Sequence, residues 1–269
     1  MSRFRPPVSI VVLTFNGLDM TRTCIDRLSA TTEDYELIVV ENGSSDGTVE
    51  YVRGLEREDE RIRAVYNASN RGFAKGCNQG VRMAQHEHVC LLNNDTEPSV
   101  GWLDAMRDVF DKDVGAVGAK LLYPDNTIQH AGMVFVYRPG LMPHFLPDHR
   151  FRFAPSDLPE ANVLEEVPAV TAACLLTTKH VWERVKGMDV AYGRAYYEDV
   201  DFNLKVRDTG WKVLYQPAAT LVHKEKGTTS ALAGTPDDLD RTFARNHRRY
   251  VERWNKRLFL GLATCSESQ

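Results

Sequence analysis

VSIVVLTFNGLDMTRTCIDRLSATTEDYELIVVENGSSDGT, residues 8–48, carries its structural signals in a fixed order. Val8–Thr14 is a nearly continuous apolar, β-branched run, as expected of a strand buried on both faces. Asn16-Gly17 ends it. Met20, Cys24 and Leu28 then recur at helical spacing, which predicts a helix over 19–30. Leu37–Val40 reads as a second buried strand, closed by the turn formers of 41–48. Strand, helix and strand in this order predict a parallel βαβ unit.

The alternation continues outward. A short helix to Leu55, a strand at 62–66, a turn at 70–72 and a helix over 73–85 follow. The strand His88–Leu92 is cut off by Asn93-Asn94-Asp95, and 102–110 reads as helix. The expected fold class is therefore α/β, a mostly parallel sheet with helices on both faces. In open sheets of this kind, ligands sit beyond the carboxyl ends of the strands. The polar runs at 14–16, 41–45 and 93–95 all fall there.

The second half changes character. Strands are expected at 114–122, 127–136, 167–177 and 212–222, with helices over 179–186 and 199–209. Six prolines between Tyr137 and Pro168 predict a long irregular loop. A polar loop at 224–236 leads to a basic helix over 237–258. In that helix Tyr250, Trp254 and Leu258 recur every four residues, with Phe243 seven before Tyr250.

At 269 residues, 43% hydrophobic and 26% charged, the chain fits one large domain. A net charge of -4 argues against nucleic acid as the main partner. Five cysteines without C-x-x-C spacing read as reduced thiols of a cytoplasmic protein rather than a disulfide or zinc framework. No apolar run approaches the 18 or so residues of a membrane span.

Four runs carry chemistry, each with a plainer alternative. In LLNNDTEP (91–98), Asp95 after a buried strand suits a hard divalent cation, or caps the next turn. In AYYEDVDF (195–202), Glu198, Asp199 and Asp201 complement a helix dipole, or crowd so that one pKa rises and a general base is prepared. His223 ends a strand before a Gly-containing loop, where it is a ligand or an ordinary surface or core histidine. NRGFAKGCNQG (70–80) offers close backbone approach at Gly72 and Gly76, with polar Lys75 and Asn78 at a helix start. P-loop, dinucleotide-binding, nucleophile-elbow and H-E-x-x-H patterns are missing.

Taken together and in order, these runs resemble family 2 of the inverting glycosyltransferases, which have the GT-A fold, over about 8–254. The likeness is greatest to bacterial rhamnosyltransferase-type members that build surface polysaccharides. SIVVLTFNG resembles the family's opening strand, and IVVENGSSDGT its nucleotide-binding turn, with Glu41 where Asp is more usual. NNDTE resembles its metal-binding run, with Asn93 at the first acidic position. YEDVDF resembles its E-D motif, whose second acid is the base.

The resemblance implies one GT-A domain: a nucleotide-sugar half (8–110), a metal and acceptor half (111–236) and the C-terminal helix (237–258). It implies Asp199 as base with Glu198 in support, and Asp95 with His223 as ligands of Mn²⁺ or Mg²⁺. It implies a donor site built from Thr14, Phe15, Asn16, Glu41, Asn70, Gly72, Lys75, Asn78, Asn93 and Asn94. The donor would be UDP- or dTDP-linked, dTDP-rhamnose included, and the acceptor a hydroxyl of a saccharide or lipid-linked glycan. Tyr250 stands where processive relatives have the Gln of Q-x-x-R-W, which implies single-sugar addition. The 137–168 loop is then an acceptor-side or oligomer-contact insertion. The basic helix docks on the domain or rests at the inner face of a membrane. Trp102 and Trp211 serve as acceptor platforms or as core. The rival readings are a silent nucleotide-sugar-binding module and a nucleotidyltransferase.

Overall fold

The computed structural model describes residues 5–138, 142–225 and 236–262. In chain order the elements are β1 (Val8–Thr14), α1 (Leu18–Thr31), β2 (Tyr35–Glu41), α2 (Thr48–Glu58), β3 (Ile62–Tyr66), α3 (Phe73–Met83) and β4 (His88–Asn93). Then come β5 (Thr96–Pro98), α4 (Trp102–Asp108), β6 (Val114–Leu122), β7 (Ile128–His130), β8 (Met133–Arg138), β9 (Met142–His149) and β10 (Glu165–Glu166). β11 (Cys174–Thr178), α5 (Lys179–Arg184), α6 (Glu198–Asp208), β12 (Lys212–His223) and α7 (Pro236–Arg257) complete the fold.

One sheet unites both halves, in the order β10-β12-β6-β11-β4-β1-β2-β3. β4, β1, β2 and β3 are parallel, so their carboxyl ends lie along one edge. β11 enters antiparallel between β4 and β6, and β6 pairs parallel with β12. Every residue of β1 is buried, because the strand has helices on both sides. Val8, Ile10 and Val12 pack with α1, α2 and α4, whereas Val11 and Leu13 pack with α3, α5 and α6. The helix α3 comes unusually close to β1. A Cβ at Gly76 or Gly80 would collide with Leu13 or Val11, so Gly76 serves helix–strand packing rather than the backbone approach to a ligand read from the sequence.

The proline-rich segment corrects the sequence reading. Instead of an irregular loop, it contains the antiparallel hairpin β8–β9, in a separate two-stranded sheet. Pro147 is accommodated because such a pair has outward edges, where a missing N–H leaves no ladder bond unmade. The strand expected at 127–136 is split into β7 and β8, and that expected at 167–177 shortens to β11.

The helix α7 docks. Tyr250, Trp254 and Leu258 are fully buried against Tyr192, Tyr197, Val200 and Met133. Trp254 Nε1 donates to Asp201 at 2.8 Å, and Tyr250 donates to the Phe145 carbonyl at 2.8 Å. Phe243 departs from the expected stripe. It is 48% exposed and stands over the rings of Tyr196 and Tyr197. Trp102 is core, fully buried with its Nε1 on Thr32, and Trp211 packs partly buried beside α6. Cys24, Cys77, Cys90 and Cys174 are buried free thiols. Among the described residues no helix is long and apolar enough to cross a membrane. Residues 226–235, most of the 224–236 loop, lie outside the described residues.

Candidate active site

The loops after β1, β2 and β3 are stitched together by their own polar side chains. Glu41, almost fully buried, accepts from the N–H groups of Gly43 and Ser44 at 3.0 and 2.7 Å. Asn16 accepts from Ser45 N–H, and its own N–H donates to Ser44 Oγ. Asn70 accepts from Gly72 N–H and from Asn42 Nδ2, while Asn42 accepts from Arg71 N–H. Thr14 Oγ1 lies 2.8 Å from Thr21 Oγ1, and Asn94 Nδ2 donates to both hydroxyls.

These bonds involve several of the residues expected at the donor site. The side chains of Thr14, Glu41 and Asn94 are buried and engaged inside the protein. They hold the loops at the strand ends in shape. Asn78 is likewise engaged, since its amide donates to Met188 O and accepts from Met188 N–H. Gly72, at φ +84, lies against the Gly193 carbonyl, and Phe73 N–H donates to Arg194 O. That contact joins the 70–72 turn to the segment before Glu198. Phe15 is half-buried and Lys75 exposed.

The short strand β5 pairs antiparallel with the end of β12, placing His223 opposite Thr96. Lys224 N–H then donates to Asp95 O at 3.0 Å. Residues 95 and 223, remote in sequence, meet with His223 Nε2 3.1 Å from Asp95 Oδ1. His223 Nδ1 lies 2.5 Å from Gln129 Oε1, and Gln129 Nε2 donates back to the His223 carbonyl. An amide oxygen only accepts, so Nδ1 carries the proton. In the neutral ring Nε2 is bare and faces the Asp95 carboxylate. Asn93 Nδ2 is 3.4 Å from the same nitrogen.

Glu198 and Asp199 open α6. The two residues before them, Tyr196 and Tyr197, both have positive φ, 76° and 73°, which side chains rarely adopt. Asn246 of α7 holds this turn, its buried amide donating to the carbonyls of Tyr192, Ala195 and Tyr196 at 2.6, 2.6 and 3.2 Å. Asp199 is half-buried and accepts from Ala172 N–H at 3.3 Å and Val200 N–H at 2.8 Å. Glu198 is 7% exposed, and its Oε2 has no hydrogen-bond partner among the described residues. Burial, then the neighbouring Asp199 charge, push its pKa up to about 8. The pair is thus asymmetric: burial and the neighbouring charge favour the protonated form of Glu198 near neutral pH.

Glu198, Asp199, His223 and Asn93 all line one cavity of about 400 Å³, walled by Phe73, Tyr196, Tyr197, Phe243 and the hairpin residues Pro147 and His149. Among the described residues no three His, Cys, Asp or Glu side chains cluster as a metal site. Sequence reasoning missed Gln129, His149 and Asn246. None has a local pattern, and each acts only through contacts that tertiary structure creates.

The model of the family described as glycosyl transferase family 2 matches residues 9–153. The chain is 31% identical over 238 residues to the O-antigen biosynthesis protein RfbC of Myxococcus xanthus, covering 85% of this chain and 18% of that protein. It is 23% identical over 246 residues to the N-acetylglucosaminyl-diphospho-decaprenol L-rhamnosyltransferase of Mycobacterium tuberculosis, covering 82% and 76%. The chain spans only 25% and 18% of the first two curated relatives it matches. Two solved structures share the fold. GalNAc-T7 with UDP, GalNAc and Mn²⁺ has a TM-score of 0.67 at 12% identity, covering 82% of this chain and 44% of that one. The mannosyltransferase PcManGT of Pyrobaculum calidifontis, in complex with GDP-Man and Mn²⁺, has 0.61 at 19%, covering 97% and 74%. With the family match extending over more than half of the sequence, this chain belongs to glycosyl transferase family 2 and has a GT-A fold.

Proposed function

We propose that this chain transfers one sugar from a nucleoside-diphosphate donor, UDP- or dTDP-linked, to a hydroxyl of a saccharide or lipid-linked acceptor, with inversion. The observation that carries this reading is that Asp199 and His223 open onto the same cavity. A charged carboxylate at one wall and a metal-competent pair at the other suit a displacement between them. Asp199, oriented by two backbone N–H groups, takes the proton of the acceptor hydroxyl as it attacks the anomeric carbon. Glu198, protonated beside it, leaves Asp199 as the base.

The Asp95–His223 pair fits a divalent cation. A carboxylate oxygen and an imidazole nitrogen face each other at 3.1 Å, and both become ligand atoms once the nitrogen is free of a proton. Gln129 fixes the tautomer, as second partners of metal-bound histidines do. Asp95 and His223 would hold the cation, and so few protein ligands would suit Mg²⁺ or Mn²⁺, which usually keep part of their coordination for water and substrate oxygens. When bound, the cation supplies positive charge that stabilises the departing nucleoside diphosphate. Asn16, Asn70, Gly72 and Asn93 stand at the strand ends where the nucleotide would lie, and Lys75 is an exposed cation nearby.

The test is product analysis after a thermal-shift screen of nucleotide sugars with and without Mn²⁺. Free nucleoside diphosphate with sugar on an acceptor supports the proposal. Pyrophosphate release indicates nucleotidyl transfer, and binding without turnover indicates a silent module. Either outcome overturns it.

A further inference from the structure

Two histidines beside Asp199 take no part in the chemistry described so far. His130, at the end of β7, is fully buried. His149, at the end of β9, is half-buried and lines the cavity. Their Nδ1 atoms are 2.9 Å apart. The N–H of Thr171 donates to His130 Nε2 at 3.4 Å.

These contacts set the proton positions in sequence. A backbone N–H only donates, so His130 Nε2 is bare and its proton sits on Nδ1. That proton faces His149 Nδ1, which must accept it. The remaining proton of neutral His149 is therefore on Nε2, where no group among the described residues accepts from it. Burial favours this neutral state, lowering the pKa of both rings. The charged groups around them are mixed. His223 and Arg150 oppose a proton on His130. Asp199, Glu225 and Asp148 favour one on His149, and Arg152 opposes it.

We infer that His149 is an acceptor-binding residue, presenting a tautomer-fixed Nε2–H to an oxygen of a sugar ring, with His130 as the positioning residue behind it. This rests on the reading of the cavity as the acceptor site. The geometry of the cavity indicates the ligand class. Phe73, Tyr196, Phe243 and Pro147 give flat apolar walls, against which the C–H face of a sugar ring can lie. A single N–H among such walls orients a ligand rather than driving its binding. A neutral pyranose with one face apolar and a hydroxyl at its edge satisfies both.

The first arm uses protein labelled with ¹⁵N-histidine and needs no substrate. Long-range proton–nitrogen correlation spectra should show His149 protonated on Nε2 and His130 on Nδ1. The reverse tautomer at His149 overturns the inference. In the second arm, methyl glycosides are titrated in, and the His149 Nε2 resonance should move while His180, outside the cavity, stays in place. No movement with a glycoside that the enzyme glycosylates overturns the inference.

In the third arm, His149→Ala should raise the acceptor KM by roughly tenfold, the loss of one hydrogen bond, with donor KM unchanged. His149→Gln, whose Nε2 can reach a similar place, should restore most of it. Equal acceptor KM in wild type and His149→Ala sinks the acceptor role and leaves the enzyme reading intact. A protein that transfers no sugar but shows the tautomer and the glycoside-dependent shift would refute the proposed function and keep the sugar subsite.

Discussion

Replacing Glu198 with Gln tests the electrostatic asymmetry on which the choice of base depends. Gln has the shape of the protonated acid but cannot ionise. In the folded protein the Glu198 pKa rises from the ordinary 4.5 to about 8, through burial and the Asp199 charge. A folded value above the unfolded one means that the native state binds the extra proton. That contribution is fully present below about pH 4.5 and is lost as pH rises through about 8. At about 1.4 kcal/mol per pH unit across that interval, the ceiling on the loss is about 5 kcal/mol. Water and nearby dipoles relax around a buried ion, so we expect about 2–4 kcal/mol. The variant should match wild type near pH 5 and be more stable by that amount above pH 8. Urea unfolding at a series of pH values, read as midpoint shifts at constant m, measures the difference. Other titrating groups cancel in the comparison. A constant offset between the two proteins from pH 5 to 9 would refute the argument, because Glu198 would then be ionised throughout.

Asp199→Asn should keep the fold and donor binding but lose at least about 10²-fold in kcat, as for a missing general base; wild-type turnover would assign the base elsewhere. Chelation should abolish transfer and Mn²⁺ restore it, and Gln129→Leu, which frees the His223 tautomer, should weaken metal affinity by about 10-fold or more; unchanged activity in verified metal-free protein would remove the cation. Asn246→Ala should cost about 1–3 kcal/mol, because a buried amide that holds a left-handed turn is lost, and kcat should fall with Asp199 displaced; a stability loss with kcat unchanged would make Asn246 purely structural. The exposed Arg248 and Lys256 of α7 face away from the docked stripe. We expect weak, salt-sensitive binding to anionic vesicles that charge reversal at both removes; no flotation at low salt would leave α7 as a cap.

The parts of this fold that were readable from sequence are those with a local period. β1 to β4 and their helices follow from apolar runs and i, i+4 spacing, because a parallel sheet covered on both faces requires nothing more. The hairpin β8–β9 was not readable, since its prolines suit an edge strand as well as a loop. The residues expected at the donor site are a subtler case. Glu41 and Thr14 stand where ligand groups are expected, and their position at strand ends was correct. What sequence could not show is that each already has partners within the protein.

The Asp95–His223 contact depends on strand register rather than on either local motif. His223 reaches Asp95 only because β12 is irregular between Gln216 and Thr220, where it advances four positions while β6 advances one. Pro217 lies in that bulge, and a residue without an N–H is at home where ladder pairing lapses. The extra residues put Thr220, not Pro217, opposite Lys120, and so carry His223 to a place opposite Thr96. Register is thus a functional variable here. A one-residue slip of β12 against β5 would leave every motif in the sequence intact, yet turn His223 away from Asp95. The order of the motifs identifies the family, but the register of β12 against β5 decides which side chain faces Asp95.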